Sequence, residues 1–221
     1  RDGTLYDCAA RHPRARALSG RATAWAVPLP DAVTHVVVRH GWHGGLLRHL
    51  TRDRFLAPTR APHELRTALT LRERGVPTPE IVAFAVYPAG PLLRRSDVAS
   101  REVPRAKDLA VTLLGPPEPA AKAAVLEATA TLLAQLAAAG AHHADLNLKN
   151  VLLEPTADGG VTAWVLDVDR VTFLPHGDGR VAALNHARLA RSARKWARLY
   201  GADVTEQDLV WLAHRTTALA R

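Results

Sequence analysis

The sequence predicts an α+β fold in two lobes, a small β-rich lobe followed by a mostly helical one. Three observations predict it. Two β-branched runs, Thr23–Leu29 and Val33–Arg39, lie close together near the N-terminus. The chain changes character at Pro116-Pro117, after which a long Ala- and Leu-rich stretch begins. Further on, the turn Asp158-Gly159-Gly160 separates two apolar runs, and two helical stretches follow it.

Taken in order, the first two runs are split by Pro30-Asp31 and read as an antiparallel hairpin. Residues 61–75 read as a helix with Leu65, Ala68, Leu69 and Leu71 on or near one face and Gly75 as its stop. Glu80–Tyr87 and Asp97–Val103 read as strands. A helix from about Pro119 to Ala139 ends at Gly140, since glycine accepts the left-handed backbone of a helix terminus. Val151–Glu154 and Val161–Leu166 flank the glycine turn as a second hairpin. Arg180–Tyr200 and Thr205–Leu219 complete the chain as helices. The expected lobes are residues 1–103 and 104–221.

The composition, 48% hydrophobic and 23% charged over 221 residues, is that of a globular chain with a sizeable core. Net charge is +8, and the basic side is nearly all arginine: Lys107, Lys122, Lys149 and Lys195 are the only lysines. Arginine surplus suits phosphate or carboxylate partners. Cys8 is alone, which excludes a disulfide scaffold and a cysteine-rich zinc site. Ala123–Ala141, interrupted by Glu127 and Gln135, is too weak for a membrane span. No signal-peptide pattern opens the chain, and the lack of methionine reads as a trimmed start. No helix-turn-helix, zinc-finger or RNA-binding pattern accompanies the charge, so no nucleic-acid partner is expected.

The chemistry lies in two segments, His142-His143-Ala144-Asp145-Leu146-Asn147-Leu148-Lys149-Asn150 and Leu166-Asp167-Val168-Asp169-Arg170. Singly, each Asp or Asn reads as a turn residue or a helix cap. Together they form an Asp, an Asn five positions later, a hairpin and another Asp, which is the catalytic layout of protein kinases. Phosphoryl transfer needs metal ions held against the phosphates and an acceptor hydroxyl held in line. Asn150 and Asp167 offer hard oxygen ligands suited to Mg²⁺, and Asp145 can accept the hydroxyl's hydrogen bond.

These segments resemble the Kdo (3-deoxy-D-manno-octulosonic acid) kinases, the lipopolysaccharide kinase family of the protein-kinase-like fold, in which D-x-D-R stands where protein kinases have D-F-G. Gly20-Arg21-Ala22-Thr23-Ala24-Trp25 is similar to the family's phosphate-covering loop, and Val38-Arg39-His40-Gly41-Trp42-His43-Gly44-Gly45-Leu46 to its third strand and following turn. Leu71–Pro79 and Asn185–Lys195 also have the family's look, so the likeness spans roughly residues 18 to 197. It implies that Asp145 is catalytic, that Asn150, Asp167 and Asp169 are metal ligands, and that Gly20, Arg21, Thr23, Arg39, Glu64, Glu102 and Val103 bind the nucleotide. Glu64 best matches the helix Glu that pairs with the basic residue of the third strand, with Glu73 as the fallback. Glu102-Val103-Pro104 matches the adenine-binding hinge, offering backbone groups. The chain departs from protein kinases by carrying Arg39 in place of Lys, a single glycine in the loop, and Ala144 in place of the Arg before the catalytic Asp.

What the resemblance implies is an ATP- and Mg²⁺-dependent kinase that phosphorylates a hydroxyl of Kdo on lipid A. It would act as a peripheral protein on the anionic cytoplasmic face of the inner membrane. A heptose kinase of the same family, and a pseudokinase that binds nucleotide or lipid, stand as alternatives. Only 52 residues follow Asp169 and none forms an Ala-Pro-Glu motif, so a protein substrate is not expected.

Arg188, Arg191, Arg194, Lys195 and Arg198 form a stripe with no acid nearby in sequence, read as a solvated face or as a surface that meets an anionic membrane or the phosphates and carboxylates of a lipopolysaccharide precursor. His35, His40, His43 and His49 have no accompanying carboxylate and are not read as a metal site. His143 is read as a brace for the catalytic loop. Trp25, Trp42, Trp164, Trp196 and Trp211 are read mainly as core anchors.

Overall fold

The structure, a computed structural model, describes residues 3–18, 23–31, 33–42, 53–115, 119–175 and 177–220. It mixes helices with antiparallel sheets and divides into two compact units, Arg1–Ala68 with Pro79–Glu102, and Leu69–Thr78 with Val103–Arg221.

The first unit is built on an antiparallel sheet. Strands β1 (Arg16–Leu18), β2 (Ala24–Pro28), β3 (His35–His40) and β6 (Leu93–Arg101) follow one another across it. Strand β4 (Phe55–Leu56) pairs with the start of β6, and β5 (Ile81–Pro88) pairs along it. The β2–β3 hairpin sets Trp25 opposite Val38 and Val27 opposite Val36. Helix α1 (Leu5–Arg11) closes a core of Ala9, Val27, Val36, Val38 and Ala99, with Leu5, Tyr6 and Trp25 packed around it. Each valine buried this way contributes about 1.5–3 kcal/mol relative to exposure.

Unpaired amides at the start of α1 find fixed partners. Thr4 and Asp7 form a reciprocal capping box. The Leu5 amide donates to the Tyr87 hydroxyl (2.7 Å), and the Tyr6 amide to the fully buried Asp97 carboxylate (2.8 Å).

Helix α2 (Ala61–Glu73) turns the stripe Ala61, Glu64, Thr67, Ala68 and Leu71 inward, while Leu69 is exposed and Leu65 half-buried. The expected face was therefore rotated, because two polar residues, Glu64 and Thr67, share the buried side. Strand β6 begins four residues earlier than expected and ends at Arg101: its polar start, Arg94-Arg95-Ser96, pairs with β5 and gives no apolar signal.

In the second unit, helix α4 (Pro119–Ala138) buries Val125, Thr129, Leu132, Leu133 and Leu136. It packs on helix α6 (Glu206–Leu219) and on strand β10 (Val161–Val165). Arg215 of α6 clamps Glu127 of α4, donating from Nε (2.9 Å) and Nη2 (2.6 Å). Strand β9 (Val151–Pro155) pairs with β10 as a hairpin and with β7 (Lys107–Asp108), which leads into the short helix α3 (Leu109–Thr112). Thr78 donates to the Val165 carbonyl (2.9 Å) and Val165 to Pro77 (2.9 Å), fixing the segment after α2 on the edge of this hairpin.

Beyond α4 the chain turns sharply at Gly140, whose backbone is left-handed (φ +66°); a side chain there would meet the Leu174 carbonyl at 2.8 Å. The turn allows β8 (Ala141–His143) to pair with β11 (Val171–Phe173), setting His143 opposite Val171. Helix α5 (Arg180–Tyr200) runs behind β8 and ends at the left-handed Gly201. Strand pairs of two and three residues carry no periodicity, which is why β1, β4, β7, β8 and β11 and the seven-residue α1 escape a sequence reading.

Candidate active site

The loop after β8 is held open by main-chain bonds that its sequence dictates. The Asp145 carbonyl accepts from the side-chain amides of both Asn147 and Asn150, each at 2.9 Å. Asn147 also caps the 3₁₀ turn Leu148–Asn150 by accepting from the Lys149 amide (3.0 Å). Leu146 and Leu148 are 1% exposed and pin the loop into the core between these polar residues. Buried Asn150 has thus committed its amide nitrogen, and its side-chain oxygen is the group left to serve as an acceptor. The Asp145 carboxylate, by contrast, is nearly half exposed.

Asp167 follows the hairpin with φ 54° and ψ 46°, a left-handed backbone that Asp adopts more readily than most residues. Its carboxylate makes no capping bond to the 3₁₀ turn Val168–Arg170 behind it. Strain of this kind costs on the order of 1–3 kcal/mol and is retained where surrounding structure enforces it. Here the enforcement comes from His143. That ring is fully buried, donates from Nε2 to the Leu166 carbonyl (2.9 Å) and accepts at Nδ1 from the Asp145 amide (3.2 Å). Those two bonds require the neutral tautomer protonated on Nε2. One imidazole therefore ties the Asp145 loop to the residue preceding Asp167.

Burial pushes the His143 pKa below its ordinary 6.5, outweighing the pull of the Leu166 carbonyl and the nearby carboxylates. An unfolded chain takes up more protons than the fold just below pH 6.5, so this contribution is complete above that pH and is lost as the pH falls beneath it. Urea midpoints taken at about pH 7.5 and about pH 5.5 should show the loss, and His143→Gln should shrink it. An equal loss in both proteins would mean that His143 does not titrate in this way.

Behind the loop stands Asn185 of α5, which is fully buried. Its Oδ1 accepts from the His143 amide (2.9 Å) and its Nδ2 donates to the Ala141 carbonyl (2.8 Å), bracketing β8. One turn on, Arg188 brings Nη2 to 3.4 Å from Asp145 Oδ1, and Ser192 accepts from the Leu148 amide (3.2 Å). The sequence placed these three residues in a run of family likeness, read Arg188 only as part of a basic stripe, and gave Asn185 and Ser192 no role. The signal available was the i, i+3, i+7 spacing of Asn185, Arg188 and Ser192 on one helix face.

In the first unit, Arg39 of β3 forms an ion pair with Glu64 of α2; Glu73 is exposed. Thr23 is exposed, and its carbonyl accepts from the Tyr6 hydroxyl (3.0 Å). Gly20 and Arg21 lie outside the described residues, as do His43 and His49. The Glu102 amide donates to the His35 carbonyl (2.9 Å), so this backbone donor of the expected hinge belongs to the sheet, and its carboxylate pairs with Arg16. The Val103 carbonyl accepts from the Ala106 amide (3.5 Å). Asp169 sits within the 3₁₀ turn, with its carboxylate 3.8 Å from Arg170. Among the described residues, no three His, Cys, Asp or Glu side chains form a ready-made metal cluster.

Three expectations need correction. The stripe on α5 does meet acids, since Arg188 reaches Asp145 and Arg194 is bidentate to Glu206 at 2.7 and 2.8 Å. His40 does meet carboxylates: Asp97 at 2.5 Å and Asp53 at 3.2 Å, which raise its pKa above 6.5, the Asp97 bond foremost. Asp97 lies 57 positions on, beyond a whole helix and strand, and Asp53 lies 13 positions on. Trp42 and Trp211 are exposed by 50% and 42%, and so are not core anchors.

The lipopolysaccharide kinase (Kdo/WaaP) family model matches residues 10–214. The chain belongs to this family. As a lipopolysaccharide kinase it has relatives named 3-deoxy-D-manno-octulosonic acid kinase. That of Vibrio parahaemolyticus serotype O3:K6 is 32% identical over 181 residues, covering 80% of this chain and 71% of the relative. That of Xanthomonas axonopodis pv. citri is 32% identical over 226 residues, covering 99% and 85%. The fold matches a solved structure titled "WaaP in complex with acyl carrier protein" with a TM-score of 0.54 at 20% identity, covering 94% of this chain and 90% of that one. The fold is therefore kinase-like and the chain is a phosphotransferase of lipopolysaccharide biosynthesis.

Proposed function

We propose that this lipopolysaccharide kinase transfers the γ-phosphoryl group of ATP to a hydroxyl of Kdo on lipid A. The observation that carries the reading is the bracing of Asp145, Asn150 and the strained Asp167 around one neutral imidazole, in a chain whose relatives are named Kdo kinases. In the step, the acceptor oxygen forms a bond to the γ-phosphorus while the bond from that phosphorus to the β–γ bridging oxygen breaks. The electron pair leaves on ADP, and the hydroxyl proton passes to Asp145 and on to water. Asp145 serves as proton acceptor and orienting group, the part a carboxylate plays in this chemistry.

The donor set fits Mg²⁺. Asn150 offers a committed amide's oxygen, and Asp167 offers a carboxylate aimed by an unusual backbone. Mg²⁺ is usually held by one or two carboxylates plus phosphates and water, not by an all-protein cage. Asp169 would act as the second carboxylate. Mg²⁺, when bound, supplies charge neutralisation at the phosphates. Arg39, paired with Glu64, and Thr23, Gly20 and Arg21 are the residues this reading assigns to the nucleotide. Glu102 and Val103 would border the base, with the Glu102 amide not among the donors.

A peripheral location on the cytoplasmic face of the inner membrane agrees with the exposed Arg191, Lys195 and Arg198 of α5. No helix among the described residues is long and apolar enough to cross a membrane.

The test is transfer of label from Mg-ATP to lipid A bearing Kdo, beside lipid carrying heptose. Label on the Kdo lipid alone is the expected result. Label on heptose alone would reassign the acceptor, and ATP binding without transfer to either would leave a pseudokinase.

A further inference from the structure

Resting on the kinase reading above, we propose that Arg188 forms an anion subsite beside Asp145 and takes the carboxylate of the acceptor sugar. The enzyme would thereby choose a sugar acid over a neutral sugar.

A guanidinium carries five N–H donors. That of Arg188 makes one long bond, 3.4 Å to Asp145 Oδ1, and its Nε is buried with no hydrogen-bond partner. Buried donors are nearly always satisfied, so a charged one that is not calls for a reason. The position is also fixed. Asn185, one turn earlier, is bonded to both ends of β8, and Ser192, one turn later, accepts from Leu148. Arg188 is thus a rigidly mounted cation whose outer nitrogens remain partly exposed.

The other cation of the loop is engaged elsewhere: Lys149 lies over the Trp196 ring, 5.4 Å from its centroid. Arg194, further along α5, is taken by Glu206. Arg188 is therefore the cation placed against the group that receives the acceptor hydroxyl. An anion seated on it lies within a few ångströms of that hydroxyl. A guanidinium between two carboxylates, one from the protein and one from the ligand, is electrically balanced, and its fork fits a carboxylate in bidentate fashion. The transferring phosphoryl group is the other anion that could meet Arg188, and its charge would be met by the Mg²⁺ that Asn150 and Asp167 would hold.

The experiment compares two acceptors: Kdo-bearing lipid A, and the same lipid with the Kdo carboxyl reduced to a primary alcohol. The unaltered chain should favour the native acceptor in kcat/KM by about 10- to 100-fold, mainly through KM, the range of a hydrogen-bonded charge pair. In Arg188→Ala the ratio between acceptors should collapse toward one, and Arg188→Lys should restore part of it. A ratio unchanged in Arg188→Ala, with kcat lowered equally on both lipids, would overturn the subsite and assign Arg188 to Asp145 or the phosphoryl group. Transfer to neither lipid by the unaltered chain would instead sink the Kdo kinase reading itself. Should Arg188→Ala not fold, Arg188→Gln, which is uncharged and keeps two of the three methylenes of the stem, gives the same ratio.

Discussion

Asp145→Asn should lower kcat for phosphate transfer by about 10²- to 10⁴-fold, the contribution typical of a positioned proton acceptor, while the fold is kept. The structure separates the two jobs of this residue. Its main-chain carbonyl holds the loop by accepting from Asn147 and Asn150, and its amide donates to His143. Its carboxylate is nearly half exposed and, among the described residues, has only the long contact to Arg188. Exchanging carboxylate for amide removes the proton acceptor and touches none of the main-chain bonds. Melting and ATP affinity should therefore stay near those of the unaltered chain. A kcat within about threefold of the original would remove Asp145 from the chemistry.

The second large effect is structural. Asn185→Ala should destabilise the second unit by about 2–4 kcal/mol, read from urea midpoints. The substitution orphans the His143 amide and the Ala141 carbonyl together, at a site with no exposure to water. Each buried group left unpaired costs about 1–3 kcal/mol. Activity should fall with it, because β8 carries His143 and His143 positions the loop. A change below about 0.5 kcal/mol would mean that water fills the gap and that Asn185 is not the anchor.

Much of this molecule could be read from its residues. The β2–β3 and β9–β10 hairpins, α2, α4, α5 and α6 all announced themselves, since each is long enough for its period or its turn residues to show. The candidate loop stood out in the sequence because Asp145, Asn150 and Asp167 sit at the spacings of the protein-kinase layout. What stayed hidden depends on partners distant in the chain. Asn185 and Arg188 act on residues 42 to 44 positions away, and His40 on one 57 positions away. Arg188 reads as one more basic residue on a polar face until the fold lays Asp145 beside it. The Leu69 assignment failed for a different reason, because Glu64 and Thr67 belong to the buried stripe and an apolar pattern cannot see them.

The pairing of β8 with β11 has a thermodynamic consequence. Ordering one residue's backbone costs about 1–2 kcal/mol, and a loop that folds only around its ligand surrenders that amount for every residue it fixes. Here the segments that lead into Asp145 and out of Asp169 are already joined strand to strand, with His143 spanning them. A ligand held at these carboxylates would thus meet a preorganised site: their conformational entropy is spent during folding, and little affinity would be consumed by arranging them.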